Sequence, residues 1–118
     1  MNESEIEAIL SGHEARNERL RVLLIEKGVN LDEARQIECH FWAWSQEDAN
    51  ALSDALRGRG FQILVKSPAA SPDDPLLWNI EAAISQSVKM TVQQEFTEEL
   101  ARLAHSQGAE YDGWGTSV

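Results

Sequence analysis

The chain has 118 residues, of which 20 are acidic and 10 are Lys or Arg, giving a formal net charge of -10. That length suits one domain over residues 1–118 with its own hydrophobic core, and with 42% apolar and 25% charged residues the composition excludes wholesale disorder, a collagen-like repeat and a disulfide scaffold. Its apolar runs are too short to span a bilayer, its acidic start MNESEIEAIL is unlike a secretory signal, and its lone Cys39 fits a reducing compartment, so a cytoplasmic location is expected.

The charge also bears on partners. Acids and bases number eight and four in residues 1–34, seven and five in residues 35–89, and five and one in residues 90–118. Bases this scattered form no stripe for a phosphate backbone, which disfavours direct binding to nucleic acid or to an anionic membrane. Charge complementarity favours a basic segment of another protein. The plainer reading, acidity for solubility alone, carries comparable weight.

The first expected element is a long helix from Ser4. Ser4 and Glu7 have capping-box spacing, and Ile6, Ile9, Leu10, His13, Leu20, Leu23 and Leu24 recur near helical spacing. Gly12 is a weak point where the helix would bend or split most cheaply, and Gly28 is a C-terminal stop. Residues 35–44 alternate, with Ile37, Cys39, Phe41 and Ala43 on one face of a strand and Glu38, His40, Trp42 and Trp44 on the other. Ser45 then caps a helix over about Gln46–Arg57 that buries Ala49, Leu52 and Leu56, ended by Gly58 and Gly60.

Residues 61–66 read as a second strand with Phe61, Ile63 and Val65 on one face. Residues 67–75 hold all three prolines and read as a loop. Leu76 to about Ser87 reads as a third strand with Leu76, Trp78, Ile80 and Ala82 alternating. Thr91 and Gln94 repeat the capping-box spacing, opening an amphipathic helix with Val92, Phe96, Leu100, Leu103 and Ala104 inward and Glu95, Glu98, Glu99 and Arg102 on the wet side. Gly108 stops it, and AEYDGWGTSV suits a short final strand.

After the first helix the order is strand, helix, strand, strand, helix, strand. Two such halves make an α+β, ferredoxin-like βαββαβ domain with a four-stranded antiparallel sheet. Two helices cover one face, and the extra N-terminal helix is expected over part of the other. That placement would bury Trp42 and Trp44, and Trp78 is expected in the core as well. Aromatics on a sheet face also suit RNA stacking, but the basic and aromatic signature of that use is missing.

The most distinctive stretch runs from Gly108 to Thr116 and contains Glu110-Tyr111-Asp112-Gly113-Trp114-Gly115-Thr116. The latter segment resembles the hallmark of the regulator of ribonuclease E activity B family. Two weaker pieces are similar to that family: Ile37-Glu38-Cys39-His40-Phe41 on the first strand, and Arg59-Gly60-Phe61 before the second. The resemblance spans nearly the whole chain in order and spacing. It implies a ferredoxin-like domain that binds the endoribonuclease ribonuclease E and restrains RNA decay by protein contact, with no catalysis of its own. Typical members carry a long acidic tail after the motif, whereas this sequence stops at Val118. If that tail adds grip, weaker or different binding is expected here.

Candidate chemistry is sparse. There is no phosphate loop, GxSxG elbow, CxxC or HExxH, and His13, His40 and His105 fall on different elements, so neither a metal nor a cofactor is expected. Glu38, His40 and Glu81 are a candidate polar cluster suited either to acid–base work or to a structural hydrogen bond. This gives the alternative function, a small ligand-binding or enzymatic domain using the Glu38 and His40 face. Self-association through an open sheet face is a third reading. His105 near its helix end suits the helix dipole, and Cys39 reads as a buried small hydrophobe. Asp112-Gly113 reads as a tight turn or, as the resemblance favours, a kinked strand. Tyr111 to Thr116 reads as a structural lock or a partner surface. The expected partner-binding residues are Glu95, Glu98, Glu99, Tyr111, Asp112 and Trp114, with Glu38, His40, Gly113 and Gly115 as motif positions.

Overall fold

The computed structural model describes residues 2–69, 73 and 76–118. The chain forms α1 (Glu3–Glu26), β1 (Arg35–Ala43), α2 (Gln46–Gly58), β2 (Gln62–Pro68), β3 (Trp78–Gln86), α3 (Val88–Thr91), α4 (Gln94–Ser106) and β4 (Ala109–Gly115). The strands make one antiparallel sheet in the order β2-β3-β1-β4. This is the ferredoxin-like arrangement with an added N-terminal helix. Of the loop expected over residues 67–75, residues 70–72, 74 and 75 lie outside the described residues, while Ser67 and Pro68 belong to β2.

β1 is one of the two inner strands, and its alternation is as expected: Ile37, Cys39, Phe41 and Ala43 are fully buried. They meet Ala49, Leu52 and Leu56 of α2, Ile80 and Ala82 of β3, and Leu100 and Ala104 of α4 in one core. Ser45 caps α2 as expected, its hydroxyl accepting the Asp48 N–H at 3.0 Å.

β2 departs from simple alternation. Ile63 pairs with Ala82 but Val65 pairs with Glu81, so two residues of β2 oppose one step of β3 and Leu64 is the extra residue of a bulge. Directly paired residues share a face. Ile63 therefore points to the core, while Val65 turns to the opposite face with Glu81 and His40. Lys66 swings to the helix side, where its ammonium donates to Asn50 Oδ1 of α2 at 2.7 Å. The expectation that Ile63 and Val65 share a face fails because a bulge resets the period.

Two expected helix starts are also corrected. Asn2, not Ser4, caps α1: its Oδ1 accepts the Glu5 N–H at 2.8 Å and its Nδ2 donates to the Glu5 carboxylate at 3.0 Å. Thr91 does not cap α4, because it ends the short α3, which Ser87 caps through the Met90 N–H at 3.1 Å. The Thr91 hydroxyl instead donates to the Ser87 carbonyl at 2.9 Å and accepts from Gln86 Nε2 at 2.9 Å.

The main correction concerns α1. It packs beside α4 and against the β4 end of the helix-covered layer, not over the open sheet face. Its buried residues are Ile6, Leu10, His13, Asn17 and Leu24, with Ile6 and Leu10 against Ala101 of α4. The reason is chemical. By register the open face presents Gln36, Glu38, His40, Asn79, Glu81 and Ser85 around Trp42, Val65 and Ala83, so most of what it offers a helix is polar. Without that cover Trp42 is half-buried; Trp44, past the end of β1, is exposed beside Ile9 and Ala101 on the helix side, and Trp78, opposite Ala43 at the start of β3, is half-buried.

α1 runs unbroken through Gly12, and a methyl group added there would meet nothing within 4 Å. Gly12→Ala is therefore expected to raise stability by about 0.5–1 kcal/mol, by removing the entropy that glycine loses in a helix. No gain on urea unfolding would contradict a continuous α1.

Candidate functional site

In a regular strand Tyr111 and Trp114, three residues apart, would face opposite sides. In β4 they face the same side. Tyr111 pairs with Phe41 and Gly113 with His40, leaving Asp112 as the extra residue of a second bulge, after which Trp114 pairs with Cys39. Gly113 has φ +132°, a conformation that side chains rarely adopt. A Cβ on it would also lie 2.9 Å from the guanidinium of Arg16. The segment is thus a kinked strand and not a hairpin turn. Tyr111 and Trp114 are only 3% and 6% exposed.

α1 meets this bulge with three side chains. The Trp114 indole N–H donates to Asn17 Oδ1 at 2.8 Å, and Asn17 Nδ2 donates to Thr97 Oγ1 of α4 at 3.3 Å. The Arg16 guanidinium donates to the Asp112 carbonyl. The His13 ring stacks on Tyr111 with centroids 4.9 Å apart and planes 17° apart, while Phe41 packs on Tyr111 at 5.2 Å. At the far end, Thr116 Oγ1 donates to the Gln36 carbonyl at 2.7 Å and accepts from Arg35 Nε at 2.9 Å.

Arg16 and Asn17 are the residues that sequence reading missed. Searching α1 for apolar residues passes over a polar one. The usable signal is spacing: buried Ile6, Leu10, His13 and Asn17 fall four, three and four apart, the seam of one helix packed on another.

Behind this seam the Tyr111 hydroxyl is buried against the Cys39 thiol without a well-formed hydrogen bond. Burial pushes the Cys39 thiol up to about 12 and the Tyr111 hydroxyl well above its ordinary value. Both stay protonated near neutrality, so neither serves as a nucleophile or base there.

The remaining motif positions scatter. His40 Nδ1 lies 3.3 Å from Glu81 Oε1 on the open face, each side chain about one-third exposed. Glu38 instead accepts from Gln36 Nε2 at 3.3 Å. Glu95 and Glu99 are exposed and Glu98 is partly so; Glu98 pairs with Arg102 at 3.7 Å and Glu99 with Arg59. Asp112 is exposed while its carbonyl is held by Arg16. Gly115 pairs with Glu38 at the end of β4.

Depressions lie around these residues; one of about 110 Å³ is lined by Leu10, Glu14, Asn17, Val92, Gln94 and Thr97. A groove of about 270 Å³ lies between α1, α4 and the start of β4, lined by Ile9, Trp44, Ala101, His105, Ala109, Glu110 and Tyr111. A shallower one of about 310 Å³ lies along Gln36, Gln62, Ala83 and Ser85. Among the described residues no group of three or more His, Cys, Asp and Glu is arranged to hold a metal, and no helix is long and apolar enough to cross a membrane.

Residues 14–116 match the profile of the family described as Regulator of ribonuclease activity B. The chain is similar to a Regulator of ribonuclease activity B of Psychromonas ingrahamii, 22% identical over 111 residues, covering 94% of this chain and 92% of that protein. It is also similar to a Regulator of ribonuclease activity B of Shewanella denitrificans, 26% identical over 103 residues, covering 86% of this chain and 79% of that protein. The matched span includes Arg16, Asn17 and all of β4.

The seam carries a pH signature. Burial, with repulsion from Arg16, holds His13 below its ordinary value of 6.5. As pH falls through 6.5 the unfolded chain takes up this proton before the folded one does. The stability tied to neutral His13 is complete above pH 6.5 and is lost as pH falls through the lower folded value. Stability from urea unfolding is expected to decline from pH 7 to about pH 5. The decline should be shallower in His13→Phe, which keeps a ring against Tyr111 but cannot titrate. Parallel profiles would remove His13 from the account.

Proposed function

The chain belongs to the regulator of ribonuclease activity B family, and we propose that it is a non-catalytic cytoplasmic regulator that binds an RNA-decay endoribonuclease, ribonuclease E or a related factor, and restrains it by protein contact. The observation that carries this reading is the family match over residues 14–116. The net charge of -10 supports it, since an acidic surface attracts a basic protein segment and repels an RNA backbone.

On this reading Glu95, Glu98 and Glu99 of α4 form part of the attracting surface. Arg102 and Arg59 already hold two of them, which leaves Glu95 as the one without an ion pair among the described residues. Tyr111 and Trp114 contribute from inside, by fixing β4 against α1. The alternative, a ligand or catalytic site at Glu38 and His40, needs a pocket there. The depression on that face includes neither His40 nor Glu81 in its lining, and the His40–Glu81 contact serves as a structural pair between β1 and β3.

The test is association of purified ribonuclease E with this protein, followed by calorimetry and by stopped-flow kinetics. A complex is expected. Raising salt should slow association by about tenfold or more while changing dissociation little. Glu95→Lys, Glu98→Lys and Glu99→Lys together should have the same effect. The fold should survive them, because exposed ion pairs are worth only about 0–1 kcal/mol each. No complex at concentrations well above micromolar would reject the reading.

A further inference from the structure

The groove between α1, α4 and the start of β4 has three features that belong together. First, it leaves two large apolar side chains partly uncovered at one place: Ile9 of α1 is 38% and Trp44, just past β1, is 41% exposed. A single exposed apolar residue needs no explanation. Two that share one concave site with Ala101 and Ala109 form a small apolar floor with an aromatic wall. Second, the groove is about 270 Å³, just under the range of about 300–1,000 Å³ common for small-molecule sites, and so is better matched to one bulky side chain of a partner. Third, its permanent charge is acidic, with His105 the one basic side chain in its lining. Glu110 is exposed in its lining, no Lys or Arg lines it, and the Asp48 carboxylate lies over Gly108 beside Ala109.

Resting on the reading of the chain as a ribonuclease regulator, we infer that this groove is the docking site for a basic segment of the ribonuclease, whose one bulky apolar side chain enters between Ile9 and Trp44 while a flanking lysine or arginine meets Glu110. A cation near the indole of Trp44 gains further from the ring face. The wall is pre-organised, because Tyr111 beneath it is fixed by His13 and Phe41, so little ordering cost is left to binding. A second copy of this chain is the poorer occupant, since each copy carries -10 and would bring acid to acid.

The experiment compares wild type with Trp44→Ala and Glu110→Lys for binding to purified ribonuclease E, with unfolding curves as the control. Glu110 is exposed, so its variant should unfold with wild type, while Trp44→Ala loses part of its packing and is assayed at a temperature where its curve shows it fully folded. Each variant is expected to weaken binding by about tenfold or more. Undiminished binding by both overturns the groove and leaves the regulator reading intact. If wild type itself ignores the ribonuclease, that reading fails, and the groove is decided by nuclear magnetic resonance titration with a nine-residue probe of lysines and glycines around a central phenylalanine. Saturable shifts at the Trp44 indole N–H and at Ile9, lost when the phenylalanine becomes glycine or the lysines become glutamates, support it. No shifts there, shifts centred on His40 and Trp42, or Trp44 shifts produced by raising the protein concentration alone, overturn it.

Discussion

The extra residue at Asp112 turns Tyr111 and Trp114 to the same side of the sheet, and whatever covers the two rings must also satisfy an indole N–H and the Asp112 carbonyl. A buried donor left without a partner costs about 1–3 kcal/mol, a large share of the stability of so small a domain. α1 meets every part of this demand with His13, Arg16 and Asn17. Asn17 also reaches Thr97, so one amide ties α1, α4 and β4 together. The glycine at the centre of the motif is required by the same seam, since Gly113 adopts a backbone conformation and admits an approach by Arg16 that a side chain would oppose.

The rest of the surface follows from this seam. With α1 committed to α4 and β4, no helix among the described residues covers the other sheet face, and His40 and Glu81 pair across it. Arg16 occupies a carbonyl of edge strand β4, while the other edge, β2, carries a bulge at Leu64 and ends in Pro68. Both edges are therefore poor templates for adding a strand. The groove by Ile9 and Trp44 lies where α1 leaves the start of β4 incompletely covered. The groove thus sits directly on the seam, with Glu110 and Tyr111 of the motif segment in its lining.

Much of the fold was legible from periodicity. The inward set of β1, the cap and buried face of α2, and the order of elements that defines the sheet all follow from local pattern, because burial on one face imposes a period of two or of 3.6. Legibility ended where one residue breaks that period. The bulges at Leu64 and Asp112 invert the facing of Val65 and Trp114, and no local pattern announces an insertion. The location of α1 was equally hidden. Its apolar stripe says that it packs, whereas its destination depends on Asn17 finding Trp114, 97 positions away. Trp42 and Trp44 were assigned to the interior because α1 was expected over their face; with α1 elsewhere, Trp42 stays half-buried on the open face, and Trp44, past the end of β1, turns to the groove beside Ile9 instead. Of the candidate site, the hallmark around Gly113 was visible from the sequence, while Arg16 and Asn17, which give it structural meaning, were not.

The central claim is that α1 and β4 are coupled through Asn17 and Trp114. A double-mutant cycle on equilibrium unfolding, using Asn17→Ala and Trp114→Phe singly and together, measures that coupling directly. The account predicts an interaction energy of about 1 kcal/mol or more, since either change alone leaves a buried polar group unmatched. Additive effects, agreeing within about 0.3–0.5 kcal/mol as they do for independent sites, would contradict it.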